Sequence, residues 1–265
     1  MDSQTLPRSS GVRTNAAGRW SYFACAILSA SIDAACSKAN CDYDSPSCGE
    51  GRVCAFVEPG KSRCVQYVDA ALDLQPPFKP GHQFWCAQGG RSASGRTHSF
   101  QGDLFAMDLP SVSSGEVEVI APVAGTAYTF DGCEERDPGP TAHNDSRCGL
   151  GYGNHVKIWD GTNIYLFGHL ARVRVQPGPV QREQVLGVMG CSGAAGHRHV
   201  HLTVTRPLPG EDVDKILGTP GWKGQMPVRY RFVAKEEAGG ATVTAQPDVV
   251  VGCNDERVRA TMLMR

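Results

Sequence analysis

Short β-rich segments follow one another between about His82 and Ala234, and Gly, Pro, Asp and Asn residues separate them. Such segments, rich in Val, Ile, Tyr and Phe, are typical of strands. No stretch shows the long periodicity of an amphipathic helix. The sequence therefore predicts an all-β domain of mostly antiparallel strands, of which the clearest examples are 116–120, 125–130, 155–159, 163–167, 185–189 and 199–204.

Cysteines concentrate in one short segment before this domain. Of the eleven cysteines, five are Cys36, Cys41, Cys48, Cys54 and Cys64. This density is typical of an oxidising compartment, and the segment has too few apolar residues to fold without disulfides. A structural zinc site is the alternative, but no pair has the Cys-x-x-Cys spacing of zinc ribbons. Two bridges within the segment leave Cys36 spare.

The N-terminal region has the pattern of an export signal. Three arginines in the first 19 residues precede a short apolar run over 20–30, followed by small residues. The run is too short for a transmembrane helix. Residues 34–36 resemble the cleavage box of a bacterial lipoprotein, although Asp33 departs from it; ordinary cleavage, with Cys36 in a disulfide, is the alternative. We expect a secreted or cell-envelope protein, attached to a membrane only if Cys36 is lipidated.

Composition divides the chain into five regions. Three prolines within 75–81 exclude regular structure there and indicate a domain entry. The predicted regions are an export signal (1–35), a Cys-rich disulfide module (36–66), a linker (67–81), the β domain (82–235) and a C-terminal tail (236–265).

The charge of the chain excludes one class of partner. The 265 residues carry a formal net charge of only −1, with no long Lys/Arg run. A basic face for nucleic acid is therefore not expected.

One predicted strand carries three histidines at alternate positions. Successive side chains of a strand point to opposite faces, so His197, His199 and His201 share one face. Val200, Leu202 and Val204 take the other face, which can anchor the strand in a core. Two imidazoles two residues apart present their nitrogens to one region of space, which suits a metal and a neighbouring base. A chance or structural pair is the alternative interpretation.

Two further segments supply candidates for the same cleft. His169 ends a strand and shares a face with Tyr165 and Phe167. His98 is followed ten residues later by Asp108, which gives a mixed nitrogen and oxygen pair. Two histidines and one aspartate make three protein ligands, and a catalytic zinc typically has three and leaves its fourth position to water.

In their order and surroundings these residues resemble the lysostaphin-type and LytM-like peptidoglycan endopeptidases of the M23 family. The resemblance covers roughly 98–204, over a third of the chain. The matching elements are the His98…Asp108 pair, the stretch 115–125 with Ala121-Pro122, Gly151-Tyr152-Gly153-Asn154, Phe167-Gly168-His169-Leu170, and the turn 190–193 leading to His199-Val200-His201-Leu202.

The resemblance implies a distorted β-sandwich and a zinc-dependent endopeptidase that hydrolyses peptide bonds of peptidoglycan. It implies that His98, Asp108 and His201 bind Zn2+. His169 and His199 would position the water, move protons and stabilise the oxyanion. The implied reaction is attack of a zinc-bound water on a peptide carbonyl without a covalent intermediate. We expect the protein to be a monomer.

The match has departures. Many family members place the aspartate four residues after the histidine, whereas Asp103 follows His98 by five residues and Asp108 by ten. The distance from Asp108 to Ala121-Pro122 fits the family better, and Asp103 remains the alternative ligand. His197 is an additional histidine to which we assign no catalytic role.

Other functions are weighed against this one. A catalytically inactive regulator or scaffold of wall hydrolases would share the fold, and failure to take up zinc would favour it. A lipoyl-type carrier also has an Ala-Pro-Val-Ala-Gly stretch but needs a lysine beside Met189, which is absent. An adhesin acting through the Cys-rich module, and a thiol protease using Cys191, are weaker alternatives. The cleaved bond, and whether the wall is the cell's own, stay open; the insertion 131–147 is the candidate for setting specificity.

Overall fold

The computed structural model describes Cys41 and residues 48–89, 98–135, 145–219, 224–233 and 244–245. The predicted export signal (1–35) and most of the C-terminal tail (236–265) lie outside these residues. No helix among the described residues is long and apolar enough to cross a membrane.

Strands dominate the described residues, which contain a single short α-helix, α1 (Val213–Gly218). The strands are β1 (Arg52–Glu58), β2 (Lys61–Gln66), β3 (Val68–Leu74), β4 (Met107–Leu109), β5 (Glu118–Ile120), β6 (Gly125–Phe130), β7 (Asn154–Trp159), β8 (Ile164–Val173), β9 (Gly178–Val180), β10 (Val185–Met189), β11 (Val200–Pro207), β12 (Gln225–Val233) and β13 (Thr244–Ala245). Each of the six clearest predicted strands corresponds to one of these.

Eleven of the described strands form one sheet, in which β13, β12, β11, β8, β7, β6 and β9 are neighbours in that order. β4 pairs with β11, and β10 pairs with both β5 and β8. Among the described pairings between two strands, only that of β3 with β12 is parallel. The prediction of an all-β, mostly antiparallel fold is therefore confirmed.

Strand β11 shows how the alternating pattern builds the core. Val200, Leu202 and Val204 are at most 1% exposed and belong to the main apolar cluster, as the alternation predicts. Burying one such side chain contributes about 1.5–3 kcal/mol. His199 and His201, on the opposite face, are also buried, at 3% exposure each. Both faces of β11 are therefore covered, one by the core and one by polar groups.

The first half of the segment predicted as a linker is a strand. β3 pairs in parallel with β12, and Leu74 at its end is buried in the main core. The prolines at 76, 77 and 80 lie after this strand and outside regular structure, since a proline ring fixes φ and lacks a backbone N–H. The predicted linker 67–81 therefore contains a strand before its three prolines.

The Cys-rich module is a hairpin of β1 and β2 fastened by two disulfides. Cys41 is bonded to Cys54, and Cys48 to Cys64. The disulfide prediction is confirmed for these four cysteines, and Cys36 lies outside the described residues.

The module packs on the β domain. Val53, Ala55 and Val65 form a small apolar cluster with Leu104 and Phe105. These last two residues lie between the predicted ligands His98 and Asp108.

A backbone hydrogen bond reinforces this contact. The Phe56 N–H donates to the Ser99 carbonyl over 2.8 Å, and the rings of Phe56 and Phe100 lie 6.1 Å apart. The module therefore supports the segment that begins at His98.

Candidate metal centre

Strand register brings His201 of β11 between two other strands. His201 lies directly opposite Asp108 of β4 and, on its other side, opposite Gly168 of β8. A cross-strand pair holds its side chains close together when they share a face. Residues 93 positions apart in the sequence are thereby placed in contact.

Three side chains converge at this point. One ligand atom from each of His98, Asp108 and His201 lies within 4.8 Å of the others. Asp108 Oδ1 is 3.0 Å from His201 Nδ1 and 3.3 Å from His98 Nε2. All three side chains are at most 8% exposed. The structure thus brings together the three residues that the sequence predicts as ligands.

Three histidines around this point share one arrangement of their rings. The Nδ1 atoms of His98, His169 and His199 lie 2.8–3.3 Å from the carbonyl oxygens of Gly89, Ser192 and His197, respectively. A carbonyl oxygen only accepts, so Nδ1 carries the proton and Nε2 is the free nitrogen of each neutral ring. The fold therefore fixes which nitrogen each ring offers to the centre.

His169 occupies an irregularity of β8. Its φ is +62°, uncommon for a residue other than glycine, and the pairing of β7 with β8 shifts register beside it. Its N–H donates to the Tyr152 carbonyl over 2.7 Å. The ring is thereby turned towards His199, with 4.6 Å between ring centroids. His199 Nε2 is itself 3.4 Å from Asp108 Oδ1, so both predicted proton-moving residues border the cluster.

Two loops, one containing Gly153 and the other Ser192, pack against each other beside His169. Gly153 has a φ of +62°, and a Cβ there would lie 2.3 Å from Ser192 Oγ, so only glycine fits. Ser192 Oγ donates to the Leu170 carbonyl and accepts from the Asn154 N–H. The motif Gly151-Tyr152-Gly153-Asn154 is therefore packed backbone to backbone against the turn that carries the His169 partner Ser192.

A disulfide fastens the first of these loops. Cys133 is bonded to Cys148, and this disulfide closes most of the insertion 131–147 into a loop. The Asn154 side chain accepts from the Cys133 N–H and donates to its carbonyl. The central part of the insertion lies outside the described residues.

Asp103 approaches the centre from the opposite side to Asp108. Asp103 Oδ1 lies 3.1 Å from His201 Nε2, whereas Asp108 Oδ1 faces Nδ1 of the same ring. The other oxygen of Asp103 accepts a hydrogen bond from the Tyr152 hydroxyl. The three residues whose ligand atoms lie together are His98, Asp108 and His201. The geometry therefore favours Asp108 over Asp103 as the carboxylate ligand of a metal.

The pKa values of His201 and His169 are shifted in opposite directions. Burial lowers the pKa of His201, but Asp103 and Asp108 outweigh it and raise this pKa to about 10. Burial, followed by the charges of His199 and His201, lowers the pKa of His169 well below its usual value. His169 is therefore a neutral proton acceptor, and a cation that binds His201 must displace a proton from it.

The chemistry and spacing of the cluster fit a zinc-sized cation. Two imidazole nitrogens and one carboxylate oxygen form a donor set of catalytic zinc sites. With metal–ligand bonds of about 2.0–2.2 Å, tetrahedral ligand atoms lie roughly 3.3–3.6 Å apart. The distances from Asp108 Oδ1 to the two nitrogens, 3.0 and 3.3 Å, need little adjustment. Three protein ligands also leave a coordination position for water.

The remaining candidates lie outside this cluster. His197 stacks on the His199 ring at 4.6 Å and is exposed, while His155 stacks on Phe130. Cys191 is a buried free thiol in the described residues, and its Sγ lies 3.5 Å from the Ala195 carbonyl.

Sequence reasoning gave no role to Tyr152 and considered Asp103 only as a ligand. The Gly-Tyr-Gly-Asn motif marked the position of Tyr152 without indicating its partner. A hydroxyl and a carboxylate 49 residues apart carry no joint signal in a single sequence.

No family model matches the chain. No curated protein matches it either. Solved structures that are similar include the catalytic domain of the antimicrobial peptidase lysostaphin from Staphylococcus simulans, at 16% identity and a TM-score of 0.33, covering 52% of this chain and 93% of that one. The catalytic domain of the prophage-encoded M23 protein EnpA from Enterococcus faecalis is 18% identical, with a TM-score of 0.34 and coverage of 66% and 95%.

A Pseudomonas aeruginosa protein described as a peptidase M23 is 21% identical, with a TM-score of 0.32 over 52% of this chain. The chain spans about half of that protein's length, 48%. At these identities and TM-scores the similarity assigns no activity, substrate or residue role to this chain.

Proposed function

We propose that this protein is a zinc-dependent metalloendopeptidase that hydrolyses peptide bonds of bacterial peptidoglycan. The observation that carries the proposal is the convergence of His98, Asp108 and His201, whose ligand atoms lie within 4.8 Å of one another. His169 and His199 border this cluster with their Nε2 atoms free of backbone partners among the described contacts.

His98, Asp108 and His201 would hold the metal. When bound, such a metal lowers the pKa of water and polarises a carbonyl group. Asp108 contributes the negative charge of the ligand set, and the register of β4 against β11 fixes its distance from His201. His98 is fixed by the hydrogen bond from Nδ1 to the Gly89 carbonyl, 3.3 Å away.

His169 and His199 would move protons and stabilise charge. The pKa of His169 is lowered mainly by burial, so its Nε2 can accept a proton from the attacking water. Once protonated, the same ring can return this proton to the departing amine. The ring of His199 lies 4.6 Å from that of His169 between centroids. Because its Nδ1 donates to the His197 carbonyl, His199 can donate from Nε2 to the developing oxyanion in its doubly protonated form.

The substrate part of the proposal is supported by sequence. Five motifs in the order typical of peptidoglycan endopeptidases span roughly 98–204. The disulfides of the described residues are typical of an exported protein. Export would bring the protein to the compartment that contains peptidoglycan.

The test pairs metal content with turnover. We expect the full-length protein to bind one zinc ion per chain and to release soluble fragments from purified peptidoglycan. His201→Ala should lose both properties, and chelation should abolish turnover in the unmodified protein. His82→Ala is the matched control, since it removes a histidine that has no place in the cluster.

Each alternative outcome has a distinct meaning. If the protein bound zinc but released no fragments from several wall types, it would be a regulator or scaffold with the same fold and not an enzyme. Absence of zinc binding, or release that survives in His201→Ala, would overturn the proposed metal centre itself.

A further inference from the structure

We propose that Asp103 and Tyr152 form a positioning pair that holds His201 with its Nδ1 atom facing the metal. The inference rests on the proposed function, because it assigns a role towards the zinc ligand His201. It concerns two side chains that are not ligands and do not touch the reacting atoms.

The two oxygens of Asp103 have separate partners. Oδ1 lies 3.1 Å from His201 Nε2, and Oδ2 accepts from the Tyr152 hydroxyl. A carboxylate only accepts hydrogen bonds, so His201 keeps its proton on Nε2 and offers the Nδ1 lone pair to the metal. Metal-bound histidines commonly donate their second ring N–H to a carboxylate, which fixes both tautomer and ring orientation.

The backbone around Asp103 is held in place relative to the strand of His201. Asp103 closes a 3-10 turn, and its N–H donates to the Phe100 carbonyl over 3.0 Å. Thr203, two residues after His201, donates from Oγ1 to the Gly102 carbonyl over 2.6 Å. Asp103 is therefore anchored to the same strand as the ring that it orients.

Tyr152 connects the proposed ligand His201 to His169, the predicted proton acceptor. Its carbonyl accepts from the His169 N–H, while its ring lies 5.2 Å from the His201 ring, centroid to centroid. One residue thus contacts His169 through the backbone and Asp103 through the side chain. A shift of Tyr152 would move both halves of the centre.

A direct ligand role for Asp103 does not agree with the same contacts. Asp103 lies at Nε2 of His201, whereas Asp108 Oδ1 lies 3.0 Å from Nδ1 and 3.3 Å from His98 Nε2. One imidazole cannot turn both nitrogens towards one ion.

The experiment measures zinc affinity by competition with a chromogenic chelator. Asp103→Ala should bind one zinc per chain with an affinity 10- to 100-fold lower, the range found on removing such outer partners of ligands. Tyr152→Phe should have a smaller effect, and adding it to Asp103→Ala should cause no further loss, because Tyr152 acts through Asp103. Asp103→Asn should fall between wild type and Asp103→Ala, because an amide oxygen still accepts from Nε2.

A spectroscopic measurement distinguishes a change in the orientation of the His201 ring from a general loosening of the fold. In the Co2+-substituted protein, Asp103→Ala should shift the ligand-field absorption bands, since the ring of His201 turns. The exposed pair Tyr128 and Asp214, whose hydroxyl and carboxylate lie 3.2 Å apart, provides the matched controls Tyr128→Phe and Asp214→Ala, which should change neither affinity nor spectrum.

The outcomes distinguish this inference from the proposed function. Wild-type affinity and an unchanged cobalt spectrum in Asp103→Ala would overturn the positioning pair and leave the metallopeptidase intact. Loss of stoichiometric zinc in Asp103→Ala but not in Asp108→Ala would make Asp103 the ligand. A wild-type protein that binds no zinc would defeat the proposed function before the pair is tested.

Discussion

His155 is a buried histidine whose neutral form is required by its surroundings. It lies in β7 at 7% exposure, stacks on Phe130 at 5.3 Å, and places Nδ1 2.9 Å from the Gly153 carbonyl. Burial, assisted by the charge of Lys157, outweighs this hydrogen bond and lowers the pKa of His155 to about 4. The residue therefore couples protonation to folding, although it lies outside the metal cluster.

Acid should destabilise the protein through this residue. Between pH 6.5 and 4 the unfolded chain protonates His155 while the folded chain does not, so wild-type unfolding free energy falls as pH falls. His155→Gln removes this loss, and the difference between the two proteins should change by about 3 kcal/mol over that interval. Denaturant titrations at a series of pH values measure it.

A second variant, Phe130→Leu, removes the stacked ring and keeps the titrating group. Because it lessens the burial of His155, its pH dependence should lie between those of wild type and His155→Gln. Parallel curves for wild type and His155→Gln would show that His155 is not held neutral.

Individual residues of the centre differ in how far the sequence could reveal them. His199 and His201 follow from alternation along one strand, because side-chain direction in a strand is fixed by position. The preference for Asp108 over Asp103 came from the family resemblance and not from alternation, since both aspartates can reach the same imidazole. The carbonyl partners of the histidines were invisible to sequence, because every residue carries a carbonyl group.

At the scale of elements, β-rich composition and turn residues located the strands, while tertiary contacts set their extent. β8 continues to Val173, past His169 at its predicted end, because its second half pairs with β10. β3 lay hidden in the predicted linker, since its pairing with β12 joins segments far apart in the chain. The docking of the Cys-rich module depends on such distant contacts as well.

The module should contribute to metal affinity. Its cluster contacts Leu104 and Phe105, and its Phe56 N–H bonds to Ser99, next to His98. Replacing the pair Cys48 and Cys64 by serine removes a disulfide worth about 2–4 kcal/mol, so the hairpin loosens and His98 loses support. We expect weaker zinc binding in chelator competition, with the β domain still folded by circular dichroism.

Lys61→Ala is the control on the same hairpin. Lys61 forms an exposed ion pair with Glu58, and such surface pairs contribute little to stability. Zinc affinity should stay at the wild-type value. Unchanged affinity in the double serine variant too would make the module a separate unit with respect to the metal centre.

The apolar core and the candidate metal centre lie on opposite faces of β11. The main apolar cluster occupies one face of β11 and includes Leu202, Tyr230 and Phe232. The histidines and aspartates occupy the other face and come from segments as far apart as His98 and His201. Folding therefore depends on the core, and a bound ion adds a cross-link between segments that are already in place.

Zinc should stabilise the folded protein without being required for it. A ligand that binds only the folded state at 100 times its Kd adds about 2.7 kcal/mol, which corresponds to a rise in Tm of roughly 5–10 °C for a chain of this size. Differential scanning calorimetry with and without zinc measures this rise, and Asp108→Asn should abolish most of it because one of the three ligands is lost. The chelated protein should keep a cooperative transition, since the apolar cluster around Leu202 contains no ligand. Loss of that transition on chelation would make the metal structural, and an unchanged Tm with zinc would mean that the cluster of His98, Asp108 and His201 does not bind it.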